Sequence, residues 1–454
     1  MSNPAHKEII SVFGLGKLGA TMLACFAHKG WQVIGVDVLP KSVDTVNSGH
    51  SPIYEPGVEE LISKNSERIK ATTEAHYAVM HSDISFVIVP TPSNDDGSFT
   101  TIYVEEVVAE IGSLLRSKSA YHTVVITSTV LPGDMQHIKE FLEKTSGKKC
   151  GTDFGLCYNP DFIALGNIVH DFLNPDMILI GQSDEKAGEF LESIHRRLID
   201  SQPTIHRMNF YNAELSKIAL NSYCTLKITF ANTIAEICEH LPGGDADVVT
   251  AAVGSDTRVG HKYIKGGLSY GGPCFPRDNR AISNSARRFG CSTPLAEMTD
   301  QLNNYHRKER IPFILRKIMR HYHADEISIL GLTYKQDTTL VEESAALYIA
   351  KALAQNGKKV RIFDPAGMPS AQKEFADMIG EDNIEFVDSA SACIKGAKIV
   401  FVGAPWKEFK TIAKDDFLKL MQDSPVIYDA WNIYRDFESD ERIKYLRIGK
   451  NFTL

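Results

Sequence analysis

The chain carries no excess of positive charge. Its 454 residues include 57 acidic and 49 basic side chains, a formal net charge of -8. No basic block and no interleaved basic and aromatic run occurs, so nucleic acid is not an expected partner. No apolar run approaches the ~18 residues of a membrane span, and no membrane association is expected. Met1 to Glu8 is short, polar and followed at once by a strand-like run, so no signal peptide is expected. The cysteines are Cys25, Cys150, Cys157, Cys224, Cys238, Cys274, Cys291 and Cys393. None form a CxxC pair, which argues against a zinc ribbon or a thioredoxin motif. Without an export signal they read as reduced thiols of a cytoplasmic protein. There is no HExxH and no phosphate loop ending in Gly-Lys-Ser/Thr. No metal is expected.

What is present is ordinary soluble composition, 43% hydrophobic and 23% charged. A chain this long implies two or three domains at ~150 residues each. Ile9 to Phe13 is a short apolar run of the kind that makes a buried parallel strand. Gly14-Leu15-Gly16-Lys17-Leu18-Gly19 follows directly, then a helical stretch from Ala20 to Lys29, then a second strand, Gln32 to Val36, closing on Asp37. Strand, GxGxxG, helix, strand and acid in that order form a dinucleotide fingerprint. The glycines let a pyrophosphate approach the backbone at a helix N-terminus. Asp37 would accept from a ribose 2′-OH and repel a 2′-phosphate, which favours NAD over NADP.

Further strands are expected at 84–89, 123–127, 154–158 and 177–180. Thr91, Thr129 and Asp161 fall just after strand ends, where open α/β sheets bind ligands; for each alone a turn or cap is the commoner role. From Asn212 to about His240 the pattern turns helical, and Lys217 and Asn221, four apart, share a helix face. A second long helix is expected from Leu295 to about Tyr322, interrupted only by Pro312. Two such helices suggest a connecting layer with a dimer interface. Between them a basic, glycine-rich loop, Asp256 to Gly267, suits a phosphate. It leads into Gly271-Gly272-Pro273-Cys274-Phe275-Pro276-Arg277-Asp278. Pro276 suits a first helical turn, so Cys274 is expected at a helix N-terminus, where the dipole favours a thiolate. A lone cysteine is more often buried and inert. The last third repeats a parallel βα pattern, with strands near 326–332, 359–364, 397–403 and 426–430 and a helix from Glu343 to Asn356. It lacks GxGxxG, so a second Rossmann-like domain with a different ligand is expected.

GLGKLG at 14–19, VPTP at 89–92, STV at 128–130, YNPDF at 158–162, NAELSKIALN at 212–221, DTRVG at 256–260, GGPCFPRD at 271–278 and GLTYKQDT at 331–338 occur in one order. In that order the chain resembles the nucleotide-sugar 6-dehydrogenase family over nearly its whole length. The resemblance implies two Rossmann-like doubly wound α/β domains joined by a long central helical region. The parts would be an NAD-binding domain at 1–205, a helical domain with the cysteine loop and dimer interface at 206–322, and a nucleotide-sugar-binding domain at 323–454. It implies a four-electron oxidation of a sugar CH2OH to a carboxylate with NAD, UDP-glucose being the favoured substrate, by a homodimer. Other nucleotide sugars, TDP-glucose or GDP-mannose, and an inactive sugar-binding homologue are the alternatives. A two-electron dehydrogenase of the 6-phosphogluconate type would share the helical middle but has no use for Cys274.

On the matching positions, Cys274 would be the nucleophile that forms a thiohemiacetal and then a thioester. Lys217 and Asn221 would stabilise oxyanions, with Asp278 hydrogen-bonded in the same cluster. Thr129 and Asp161 would hold the water, Asp161 as base. Gly14, Gly16, Lys17, Leu18, Gly19, Asp37, Pro90, Thr91, Thr129 and Cys274 would face NAD. Asn159, Asp161, Phe162, Lys217, Asn221, Arg258, Tyr263, Lys265, Gly271 and Lys335 would face the substrate, with Arg258, Tyr263 and Lys265 on its phosphates. Two positions depart from the family pattern. Where it has Asn-Pro-Glu-Phe-Leu-x-Glu, this chain has Asp161 and Leu165; where an Arg precedes Glu-Ser, it has Glu342.

Overall fold

A computed structural model describes residues 6–376 and 383–452. The chain forms two compact units, Met1–Ile218 and Ala219–Leu454, and the boundary falls inside one helix, Phe210–His240.

The first unit is built on an eight-stranded sheet. Its strands are β1 (Ile9–Phe13), β2 (Gln32–Val36), β3 (Ile69–Thr72), β4 (Ile84–Val87), β5 (His122–Ile126), β6 (Phe154–Tyr158), β7 (Met177–Gln182) and β8 (Thr204–Met208). The order is β3-β2-β1-β4-β5-β6-β7-β8. All neighbours are parallel except β6 and β7. The central strands are apolar on both faces because both faces are covered. Ile10, Val12, Phe86 and Val125 enter one core, while Phe13, Val87, Val124 and Ile126 enter the other. Each such fully buried side chain contributes roughly 1.5–3 kcal/mol. The strand order reverses between β1 and β4, which opens a crevice at their C-terminal ends.

The second unit holds a six-stranded, all-parallel sheet: β9 (Glu326–Leu330), β10 (Lys359–Phe363), β11 (Ile384–Phe386), β12 (Ile399–Val402), β13 (Val426–Asp429) and β14 (Lys444–Arg447). Its order, β11-β10-β9-β12-β13-β14, has the same reversal, between β9 and β12. Ile329, Ile362 and Phe401 face one core; Leu330, Phe363 and Val402 face the other. The α/β class with two doubly wound sheets and a long helix between them is thus as the sequence implies.

Two expectations change. The run expected as one helix from Leu295 is Pro294–Tyr305, a π turn His306–Arg310, and Ile311–His321. Pro312 has no N–H to give and its ring crowds the preceding turn, and the chain answers by widening that turn instead of breaking. The helix expected from Glu343 starts at Ala345, because Glu343 takes a left-handed φ of 52° and Ser344 caps the helix by accepting from Leu347 N. No helix among the described residues is long and apolar enough to cross a membrane.

Candidate active site

The first unit presents the dinucleotide loop. β1 delivers Gly14 with φ 98°. A Cβ there would collide with Ile88 O, and one on Gly19 with Gly14 O, so neither position tolerates a side chain. Gly16 differs: nothing lies within 4 Å of where its Cβ would stand. The helix Lys17–His28 starts on Gly16 with no side-chain cap, leaving its first N–H groups at an open cradle beside Lys17 and Leu18. Asp37 fixes this turn by accepting from Leu15 N at 2.7 Å, and it remains partly exposed. Glycine geometry, uncapped helix and acid together fit a nicotinamide dinucleotide.

The neighbouring strand ends are tied to one another. Thr91, buried after the exposed Pro90, donates to Thr129 O at 2.8 Å, and Ser128 Oγ exchanges bonds with Val89 N and O. Asn159 is committed within the fold: its amide donates to Leu179 O at 2.9 Å and its oxygen meets His195 Nε2 at 2.8 Å. Burial pushes the His195 imidazole down to about 4, so at neutral pH this ring is uncharged and donates through Nε2–H. Two residues on, the Asp161 carbonyl accepts from Lys217 Nζ at 2.5 Å, and the same ammonium lies 4.8 Å from the Phe162 ring centre. The Asp161 residue keeps some solvent access, but the dense surroundings of its carboxyl push its pKa up to about 7, against the pull of Lys217. A carboxyl poised there can exchange a proton near neutral pH. Glu55, which sequence reasoning missed, closes the same loop. It is buried and accepts from Gly166 N at 3.1 Å and Ile168 N at 3.0 Å, capping the helix Ile168–Leu173 from far along the chain. The Pro-Gly after Glu55 marks a turn, but no local pattern says what its carboxylate reaches.

The second unit presents Cys274. It is the N-cap residue of the helix Phe275–Arg288 and is exposed, with Pro276 in the first turn. Cys25, Cys150, Cys157, Cys224, Cys238 and Cys393 are buried, and only Cys291 shares its exposure. The helix start is fastened to the long helix: Asn221 Nδ2 donates to Asp278 Oδ2 at 2.6 Å, and Ser222 Oγ to Asn279 Oδ1 at 2.9 Å. The structure therefore pairs Asn221 with Asp278, one turn beyond Cys274. Tyr263, with φ 65°, sets its ring edge-on to Phe275 at 5.8 Å. Arg258 and Lys265 are exposed on the same loop, Arg258 chelating Asp256 at 2.7 Å.

Gly271 and Gly272 lie against the segment 331–344. Gly272 N donates to Glu342 O at 3.0 Å, and its φ of 78° with the Tyr334 ring alongside leaves no room for a side chain. Lys335, next to Tyr334, is partly buried, 5.7 Å from that ring's centre. A cavity of ≈ 10 Å³ lies here, lined by Gly271, Thr333, Ser344, Gly403 and Trp431. Glu342, in the place where the family has Arg, is exposed. Partial desolvation, and then its neighbour Glu343, hold its carboxyl above the usual range. Among the described residues no cluster fit to hold a metal ion occurs.

An open dinucleotide cradle on one doubly wound sheet and a presented thiol beside a second define a nicotinamide-dependent dehydrogenase with two Rossmann-like units. Comparison with known proteins fixes the family. The NAD binding, central and UDP binding domains of the UDP-glucose/GDP-mannose dehydrogenase family match residues 8–199, 211–305 and 328–436, and the chain belongs to that family. It is 33% identical over 422 residues to the UDP-glucose 6-dehydrogenase AglM of Haloferax volcanii, covering 92% of this chain and 95% of that one. It is 35% identical over 377 residues to a GDP-mannose 6-dehydrogenase of Pseudomonas aeruginosa, covering 81% and 84%. The solved UDP-glucose dehydrogenase of the archaeon Pyrobaculum islandicum superimposes with a TM-score of 0.85 at 29% identity, covering 99% of both chains. The protein is an NAD-dependent nucleotide-sugar dehydrogenase.

Proposed function

We propose that the chain oxidises the C6 hydroxyl of a nucleotide hexose, UDP-glucose in preference to TDP-glucose or GDP-mannose, to the uronic acid. The observation that carries this reading is the exposed Cys274 at a helix start, fastened by the Asn221–Asp278 bond. NAD held at the Gly14–Gly19 turn would supply the hydride acceptor, one molecule for the alcohol and a second for the thiohemiacetal, and each oxidation also releases the hydroxyl proton. After the first, Cys274 Sγ adds to the aldehyde carbon and the carbonyl oxygen gains a proton. Loss of the second hydride leaves a thioester, and water cleaves the C–S bond, releasing the carboxylate and restoring the thiol. Lys217 and Asn221 stabilise the oxyanions. Asp161, with its carboxyl near 7, takes the proton from the water, which Thr129 helps hold. Arg258, Tyr263, Lys265 and Lys335 serve the sugar nucleotide, together with Asn159, Phe162 and Gly271. The division at 1–205, 206–322 and 323–454 is the functional one in this reading.

A homodimer is part of the same reading. Tyr223, Phe230 and Ile237 recur at heptad spacing on the long helix, each about half exposed, and Leu295 and Met298 on the helix Pro294–Tyr305 are exposed as well. A stripe this apolar suits a second copy of the chain. The site of action is read as the cytoplasm.

The test is an NADH assay with UDP-glucose, TDP-glucose, GDP-mannose and UDP-N-acetylhexosamines. Two NADH per UDP-glucose are expected, and no acid from Cys274→Ala. Normal turnover by that variant would sink the covalent route. A preference for GDP-mannose would move the substrate toward that of the Pseudomonas relative.

A further inference from the structure

Three anchors on one helical run hold the two segments that meet at Gly271–Gly272. Asn303, on the helix Pro294–Tyr305, clasps Tyr270 from both sides, accepting from its N–H and donating to its carbonyl, both at 3.0 Å. His306 Nε2 donates to Gly267 O at 3.0 Å. Burial and the Arg310 guanidinium push this imidazole down to about 3, so it stays neutral and its Nδ1 is left to face Arg310 Nη1 at 3.3 Å. These two contacts fix the backbone that runs into Cys274.

Arg307 fixes the other segment. Its side chain is 2% exposed. Nη1 donates to Glu343 O at 3.1 Å, Nη2 lies 2.6 Å from Glu343 Oε2, and the guanidinium stacks on Tyr348 at 4.3 Å. Glu343 is the residue with φ 52°, a conformation that strains a non-glycine residue and persists only where its surroundings impose it. One guanidinium that grips both carbonyl and carboxylate of a single residue is such an imposition. The turn it holds is the one against which the cysteine loop rests: Gly272 N donates to Glu342 O, and Gly271 has no space for a Cβ because Glu343 O is there. Nothing in the reaction outlined above uses Arg307.

We propose that Arg307 is a positioning residue for Cys274: by holding Glu343 in its strained turn it sets the Gly271–Gly272 backbone, and so the thiol, against the segment that carries Lys335. The proposal rests on reading Cys274 as the nucleophile. Arg307→Lys keeps the charge and loses the planar fork. In the full-length protein we expect its kcat to fall about 10-fold to 100-fold, the size of effect that slight misplacement of a reacting group produces, with the KM for NAD unchanged. Alkylation of Cys274 by iodoacetamide, followed on its own peptide because Cys291 is also exposed, should change at least about threefold without sugar or cofactor. Glu343→Gln, which keeps the carbonyl contact, should show a smaller change in the same direction. It carries the test if the lysine variant does not fold. Unchanged alkylation with kcat within about twofold of the parent in a folded variant would overturn the proposal. Alkylation does not depend on turnover, so a parent protein that oxidises no nucleotide sugar would defeat the reading of Cys274 and still leave the role of Arg307 decided.

Discussion

In both sheets the first strand of the crossover ends on a glycine in the left-handed region, Gly14 with φ 98° and Gly331 with φ 93°. In both, an acid at the end of the next strand reaches back to the residue after that glycine: Asp37 to Leu15 N and Asp364 to Leu332 N, each at 2.7 Å. The strand orders match over six strands as well. The two mouths nevertheless face different tasks. After Gly14 the helix begins at Lys17, and its N–H groups open onto solvent beside a partly exposed Asp37. After Gly331 the helix waits until Ala345, and the intervening segment brings Tyr334 and Glu343 to the cysteine loop. Asp364 is 1% exposed and accepts also from Thr333 N and Oγ1, Ala366 N, Gly367 N and Trp406 Nε1. One topology thus leaves one acid half open, where in the proposed reading it meets the cofactor, and encloses the other among neighbouring donors as a structural one.

The strongest way to break that contrast is to neutralise both acids. Every partner of Asp364 is a donor, so Asp364→Asn turns an amide NH2 toward N–H groups and leaves buried donors without acceptors. We expect a loss of about 3 kcal/mol or more, read as a lower midpoint in urea unfolding, with NAD affinity unchanged. Asp37→Asn should cost about 1 kcal/mol in stability but weaken NAD about tenfold and narrow its preference over NADP, read by titration with both cofactors. Equal stability losses with an unaltered cofactor ratio would show that the two acids do the same job.

The same contrast explains what the sequence made legible. Interior strands stand out as apolar runs because two covered faces demand them, and β1, β6 and β10 lie where the pattern puts them. The unrecognised strands, β3, β8, β11 and β14, are the four sheet edges. Edges face solvent on one side, and their burial is broken, as in Thr204–Met208, where no residue is fully buried. In the site, the glycine turn with a following proline announced Cys274 as a helix cap, and helix spacing put Lys217 and Asn221 on one helix. The Asn221–Asp278 bond, the Glu55 cap and the grip of Arg307 on Glu343 join residues far apart in sequence. No periodicity encodes such pairs; they exist only once the chain has folded.

A second test concerns the carboxyl of Asp161, which burial raises to about 7. As a base it must be ionised, so the rate of thioester hydrolysis should fall about tenfold per pH unit below 7 and level off above it. Asp161→Asn should abolish that limb. Stability runs the other way. A carboxyl whose folded pKa exceeds its ordinary value near 3.8 contributes stability below that value and loses it as pH rises through about 7. The first unit should therefore gain stability from this group at mildly acid pH, where its proposed function fails.

The smallest effect on the fold separates the glycines of the first mouth. Gly19 packs its Cα against Gly14 O, so Gly19→Ala must displace the helix. Gly16 has a φ of -69°, which any residue adopts, and open space where a Cβ would go. Gly16→Ala should thus change stability by only a few tenths of a kcal/mol, and in the favourable direction if anything, because alanine restricts the unfolded chain. The new methyl would stand where a pyrophosphate comes up to the helix N-terminus, and NAD affinity should drop about tenfold. A variant as stable as the parent with weakened NAD binding would mean that the openness at Gly16 serves the ligand alone. Unchanged affinity would place the pyrophosphate elsewhere and remove the main distinction between the mouth at Gly14 and the one at Gly331.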